Sequence, residues 1–322
     1  MLIHIISTVN GEENEGMRNV ATHITHVLEQ NNKVIRSSLH DLFYFPVRCW
    51  KANCTIIFAR CISKVYEIIR ICSLFTKNIF IVLVQRPDKD FLLKCQRHPL
   101  SCHYLTVCKE DVSLLTVHEG FGVFGFSIGM NIQKFSPVTQ DKKEMLRNKY
   151  GLDPKKPVVV HVGHCSAGRG LEDFRHINTE IYQCIVVASG MFDNDTVKAI
   201  LNDIGVKLIT GYMKNVNEIY QMADVYFFPT RNDEFVISVP LSVMEALSCG
   251  IPVLAYKSFE KLKNISSVPD GIYCINDASE INQALIQLTA RKNDISLLSN
   301  PMTWEEAASE FFQTIEGVVK KL

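Results

Sequence analysis

The sequence carries no excess of charge. Its 34 Lys and Arg residues balance 34 Asp and Glu, so the overall charge points neither to nucleic acid nor to an anionic membrane. It has no long uninterrupted apolar run. The greasiest region, 52–84, is broken by Arg60, Lys64, Glu67, Arg70 and Lys77 and is too charged to span a bilayer. The opening residues MLIHIISTVNGEENEG lack a basic leader, an apolar core and a cleavage site, so no secretory signal is expected. Low-complexity segments and short-period repeats are also lacking. No CxxC knuckle occurs. The eleven cysteines are odd in number and follow no framework spacing. They read as small buried hydrophobes in a reducing compartment. The stretch CQRHPLSCHYLTVC gathers Cys95, His98, Cys102, His103 and Cys108, but without a knuckle spacing no metal site is expected there.

What the chain does have is alternation. At 322 residues it exceeds the usual single core. Strand-like runs such as LIHIIST (2–8), CTIIFAR (54–60) and NIFIVLVQ (78–85) alternate with helix-like ones such as 15–30 and 61–75. Apolar runs of this kind, bounded by turn residues, predict βαβ units around a parallel sheet buried on both faces. The polar segment 134–157, rich in lysine and carrying Pro137, Pro154 and Pro157, reads as a linker. Alternation then restarts with PVVVHVG (157–163) and CIVVAS (184–189) and closes on helices at 278–290 and 304–322. The expected fold class is α/β, with two doubly wound domains, 1–137 and 138–303, facing across a cleft, followed by a terminal helix over 304–322.

Four stretches are candidate sites. Gly120, Gly122 and Gly125 spell G-x-G-x-x-G, but they sit in a strand-like run with no amphipathic helix after it. This is a chance match to the dinucleotide fingerprint, which leaves a dehydrogenase without its main support. The loop 7–19 follows the first strand, at the sheet edge where doubly wound folds bind ligands, and Gly11 and Gly16 would let backbone N–H groups approach a phosphate or sugar. An ordinary βα loop remains the alternative. In VGHCSAGRGLEDF (162–174), Gly163, Gly168 and Gly170 keep the loop open, and His164 and Arg169 offer donors. Arg169 stays charged and can fork onto two phosphate oxygens. In PLSVMEALSCG (240–250), Pro240 suits the first turn of a helix. The N–H groups of Leu241 and Ser242 would point out of the helix start toward a pyrophosphate. Glu245 lies three residues after Ser242 in an otherwise apolar helix, placed to accept hydrogen bonds from vicinal ribose hydroxyls.

Together these residues resemble a family. ADVYFFPT and PLSVMEALSCGIPVLA, with MLIHIIST, IGMNIQKFSP, RNKYGLDPKKPVVVHVG and TWEEAASEFFQTIE, resemble family-4 retaining glycosyltransferases (glycosyl transferases group 1) of the GT-B fold, over nearly the whole chain. The resemblance implies transfer of a sugar from a UDP- or GDP-sugar to a glycan, lipid or small-molecule acceptor, with no cofactor and no tightly bound metal. It implies a cytoplasmic protein, peripheral at the cytoplasmic membrane face for a lipid-linked acceptor, and a terminal helix packing back towards the first domain. Glu245 matches the second of two glutamates eight positions apart. The first falls at Ile237, which cannot accept a hydrogen bond, and Glu234 or Asp233 upstream is then the candidate sugar contact. Arg169 takes the position of a lysine that neutralises the leaving diphosphate, and His164 that of an arginine. Gln85 stands where a histidine is common in the first domain. These departures keep a second reading open, a catalytically decayed binding or scaffold protein. An epimerase acting on a nucleotide-sugar is a third.

Overall fold

In the computed structural model of the chain, residues 1–7, 16–190, 193–233, 236–265, 271–290 and 296–320 are described. The chain divides into two units. The first comprises Met1–Gly129, Ile237–Val239 and Met302–Leu322, and the second Met130–Val236 and Pro240–Pro301.

The first unit runs β1 (Leu2–Ser7), α1 (Gly16–Asn31), β2 (Lys33–Ser37), a 3₁₀ turn (Leu42–Tyr44), α2 (Phe45–Lys51), β3 (Cys54–Phe58), α3 (Ser63–Ser73), β4 (Ile79–Leu83), α4 (Lys89–Arg97), β5 (His103–Thr106), α5 (Lys109–Val112) and β6 (Val123–Gly125). Its sheet has the order β2-β1-β3-β4-β5-β6, parallel throughout. The Ile and Val runs of β3 and β4 are buried along their whole length, as a sheet covered on both faces requires. The third glycine of the G-x-G-x-x-G run closes β6, and no helix follows before Thr139.

The second unit runs α6 (Gln140–Lys149), β7 (Val158–Gly163), β8 (Gln183–Ala188), α7 (Asp195–Asp203), β9 (Lys207–Thr210), α8 (Asn217–Met222), β10 (Val225–Phe228), α9 (Leu241–Ser248), β11 (Val253–Tyr256), β12 (Ile272–Ile275) and α10 (Ile281–Thr289). Its parallel sheet has the order β12-β11-β10-β7-β8-β9. Strand order reverses between β7 and β10, so the carboxyl ends of those two strands form the crevice where such sheets bind ligands.

The lysine-rich stretch expected to be a linker is instead anchored in the second unit. Thr139 caps α6. The buried Arg147 donates to Asp224 at 2.6 Å and to the carbonyls of Met222 and Pro154, while Lys143 reaches the other Asp224 oxygen at 2.9 Å. A charge that deep is tolerable because every partner is present. Polar composition therefore concealed an ion-pair anchor.

The last helix, α11 (Trp304–Val319), belongs to the first unit and opens with a Thr303–Glu306 capping box. Trp304 stacks on His23 of α1 at 4.5 Å, and Phe311 packs on Phe58 and Phe126. Gly129 makes this docking possible. A Cβ there would sit 2.6 Å from the Thr303 carbonyl oxygen and from the Trp304 Cα, backbone atoms that cannot move aside. Gly129→Ala is expected to destabilise the first unit by about 2 kcal/mol, read as a lower urea midpoint. Gly125→Ala, with nothing within 4 Å of the new methyl, is the control and should shift the midpoint little.

The three residues Ile237–Val239 also belong to the first unit. The Ser238 N–H donates to the Val84 carbonyl at 2.6 Å, and its hydroxyl donates to the buried Asp111. Ile237 lies against Gly16, 2.8 Å from where a Cβ would stand. The position where the family resemblance places a carboxylate is thus an apolar contact with the start of α1.

Candidate active site

Two loops and one helix end assemble the site of the second unit. After β7 the chain turns through Gly168 and Gly170, both with positive φ. A Cβ on Gly170 would meet the Pro229 carbonyl oxygen at 2.5 Å, so only glycine lets this loop close against the end of β10. Arg169, held between the two, is buried at 8 % exposure. Among the described residues its Nε has no hydrogen-bond partner and it forms no ion pair. Burial lowers its pKa to about 10, with Tyr226 pulling the other way, so it stays charged at neutral pH. The other nearby cation, Arg231, is committed: it pairs with Asp173 at 2.6 Å and stacks over Tyr256.

Gly163 ends β7, and a Cβ there would press to 3.0 Å on His161 Nε2. His161 is fully buried, donates through Nδ1–H to the Phe227 carbonyl (2.9 Å), and among the described residues leaves Nε2 unpartnered. Burial pushes its pKa down to about 3, reinforced by Arg169 and His164, so it is neutral. His164 lies half-buried with Nδ1 2.6 Å from the Ser189 hydroxyl.

The helix α9 starts without a side-chain cap. Pro240 is its N-cap, with extended ψ, rather than its first helical residue. The carbonyl of Pro240 takes the N–H groups of Val243 and Met244, which leaves those of Leu241 and Ser242 as the unsatisfied donors every helix start presents. One turn on, the Tyr220 hydroxyl donates to Glu245 Oε2 at 2.8 Å. Burial raises the Glu245 pKa to about 7, moderated by the Tyr220 hydrogen bond and by Lys134.

Tyr226 ties these parts together. Its hydroxyl donates to the Val162 carbonyl at 3.1 Å, and its ring stacks on His161 and lies 5.7 Å from the Tyr220 ring. Burial raises its pKa, and Ser242, Arg169 and Glu245 all act on its hydroxyl. Gly163, His164, Arg169, Leu241, Ser242 and Glu245 are therefore placed in one unit, at the carboxyl ends of β7 and β10. Gly16 and Gln85 lie in the first unit, Gly16 at the start of α1 and Gln85 two residues past β4. Glu234 and most of the 7–19 loop (8–15) lie outside the described residues.

Sequence reasoning missed Tyr220 and Tyr226. Both sit at apolar spacing and read as core. Among the described residues no group of three His, Cys, Asp or Glu side chains is placed to hold a metal. Of the eleven cysteines ten are buried and Cys274 is exposed.

Residues 156–291 match the family model described as Glycosyl transferases group 1. The chain is 25 % identical over 201 residues to an N,N'-diacetylbacillosaminyl-diphospho-undecaprenol alpha-1,3-N-acetylgalactosaminyltransferase of Campylobacter jejuni, covering 60 % of this chain and 50 % of that one. It is 27 % identical over 135 residues to an alpha-galactosylglucosyldiacylglycerol synthase of Streptococcus pneumoniae, covering 39 % and 35 %. The chain thus spans half or less of the length of these curated relatives. In fold it is similar to HepE of Anabaena, whose crystal structure holds UDP and glucose, with a TM-score of 0.76 at 12 % identity over 97 % of this chain and 99 % of that one.

Proposed function

We propose, from the match of residues 156–291 to the glycosyl transferases group 1 model and from the pair of Rossmann-like units of the GT-B kind, that the chain is a retaining glycosyltransferase using a UDP- or GDP-sugar. The observation that carries the reading is Arg169. A buried guanidinium that no carboxylate among the described residues pairs with is expensive to maintain, and it stands where the sheet topology puts the ligand crevice, near the Tyr226 hydroxyl that Ser242 at the open start of α9 also reaches. A diphosphate supplies the missing negative charge. Glu245 accepts the two ribose hydroxyls, and the Leu241 and Ser242 N–H groups take phosphate oxygens.

In the reaction, the bond from the anomeric carbon to the β-phosphate oxygen breaks, and Arg169 with the α9 donors stabilises the charge that develops there. The acceptor oxygen attacks the same face of the sugar, and its proton passes to a β-phosphate oxygen. No side-chain base is then required, which suits Gln85 and the apolar Ile237. Glu234 is the proposed sugar contact. The named relatives act on undecaprenol-linked and diacylglycerol-linked acceptors, which supports a lipid-borne acceptor and peripheral membrane contact. Among the described residues no helix is long and apolar enough to cross a membrane.

Calorimetry with UDP, GDP, ADP and their sugar conjugates tests the reading. One base should bind in the micromolar range, and Glu245→Ala should weaken it by about 10- to 100-fold, the worth of a hydrogen-bonded charge. Absence of binding by every nucleotide at millimolar concentration sinks the donor site. Binding with no donor hydrolysis or transfer points to the decayed-site reading.

A further inference from the structure

The first unit carries an exposed aromatic surface that a donor site does not use. The 3₁₀ turn Leu42–Tyr44 and α2 bury only Phe45 and Cys49 among their apolar side chains, four residues apart on one face. The rest face solvent: Phe43 is 87 % exposed, Trp50 73 %, and Tyr44 and Val47 about half. Cys49 packs in the same core cluster as Cys72 near the end of α3. Just beyond Cys72 the chain exposes Leu74, at 78 %, and Phe75. Two elements that share one core cluster therefore both leave apolar side chains in solvent. Phe43 and Trp50 alone expose roughly 300 Å², already within the range at which a patch marks an interaction site.

The charge around this surface has a sign that the balanced composition hides. Arg48 and Lys51 lie on α2, and Arg70 and Lys77 flank the end of α3. The acids are Asp41, which pairs with Arg48 at 3.6 Å, and Glu67, which pairs with Arg70 at 3.5 Å. Lys51 and Lys77, both exposed, pair with no carboxylate among the described residues. Arg48 lies over the Tyr44 ring at 4.9 Å. A protein partner would select against lysine at the patch, because interface cores are depleted of it. Phenylalanine and leucine for the acyl boundary, tryptophan and tyrosine for headgroup depth, and unpaired lysines at the margin match a different partner. We propose that this face, built from residues 42–51 and 71–77, docks the protein on the surface of an anionic lipid bilayer.

The proposal stands apart from the donor site, and the test uses neither donor nor acceptor. The full chain is mixed with vesicles of phosphatidylcholine alone or with added phosphatidylglycerol, and binding is read by sedimentation. Emission is read in parallel. The chain has two tryptophans, and Trp304 is buried and stacked on His23, so a blue shift on binding reports Trp50. Wild type should sediment with the anionic vesicles and shift to the blue. Phe43→Ser combined with Trp50→Ser should lose at least about tenfold in partitioning, while nucleotide binding is unchanged. Lys51→Glu with Lys77→Glu, which leaves Trp50 in place, should lose the preference for phosphatidylglycerol and the blue shift that accompanies it. Wild type that stays in solution with both vesicle types overturns the proposal. So does a Phe43→Ser/Trp50→Ser variant that binds as well as wild type, or a wild-type dimer that this variant dissociates while neither protein binds vesicles.

Discussion

Arg169→Ala is expected to lower kcat for transfer, or for donor hydrolysis, by roughly 100- to 1,000-fold, the usual cost of removing one preorganised charge at a developing oxyanion. The effect on KM should be smaller, because the leaving diphosphate carries more charge in the transition state than in the bound donor. Arg169→Lys should recover part of the rate, since the charge remains while the planar fork is lost. A purely structural arginine would give the same loss of rate by unfolding, so stability must be read beside activity. Arg169 is 8 % exposed, its Nε has no partner among the described residues, and burial already pulls its pKa down to about 10. Replacing buried ionic groups by apolar side chains of similar volume is often neutral or stabilising by about 1–4 kcal/mol, and no carboxylate among the described residues compensates Arg169. Arg169→Met should therefore unfold at the same or higher urea while its activity is lost. A lower midpoint that tracks the lost rate would return Arg169 to the structural column.

The legible parts of this protein are those where one physical requirement acts locally. A parallel strand buried on both faces must be apolar throughout, so TIIF in β3 and VVV in β7 could be read directly. Glu245 stood out because a carboxylate in an apolar helix needs a partner. What stayed hidden depends on partners remote in sequence. Tyr220 reads as a core tyrosine until Glu245, 25 residues on, is seen to accept its hydrogen bond. The 134–157 stretch reads as a linker until Asp224 is seen to collect Arg147 and Lys143. Ile237–Val239 read as part of a βα loop in the second domain, yet Val84 and Asp111 hold Ser238 in the first unit. The aromatic surface over 42–51 escaped because it has neither helical nor strand period. Phe45 and Cys49 face the core while their neighbours do not, and single apolar residues do not announce which way they point.

Affinity for the nucleotide-sugar should fall as pH drops through about 7, and Tyr220→Phe should move that fall to higher pH. Ribose hydroxyls donate best to an ionised Glu245. Burial raises its pKa to about 7, and the 2.8 Å hydrogen bond from Tyr220 holds it from rising further, with Lys134 acting in the same direction. The other groups that face it, the Tyr226 hydroxyl and the Cys249 thiol, are themselves pushed up by burial and stay neutral. Below the midpoint the carboxylic acid accepts less well, so affinity weakens by at most about tenfold per pH unit. Deleting the Tyr220 hydroxyl removes a hydrogen bond made to the charged form, raises the Glu245 pKa, and so costs most near neutral pH and little at pH 9. A sugar conjugate is the probe to use, because a free nucleoside diphosphate titrates its own terminal phosphate. Glu245→Gln should bind weakly with this pH dependence gone. Stability gives the sign independently. A carboxyl with a raised folded pKa stabilises the fold while protonated, and that contribution is lost as pH rises from about 4.5 through 7. Glu245→Gln should therefore gain stability relative to wild type at pH 8 and not at pH 4. A Tyr220→Phe profile parallel to wild type, lowered equally at every pH, would mean that Tyr220 only packs.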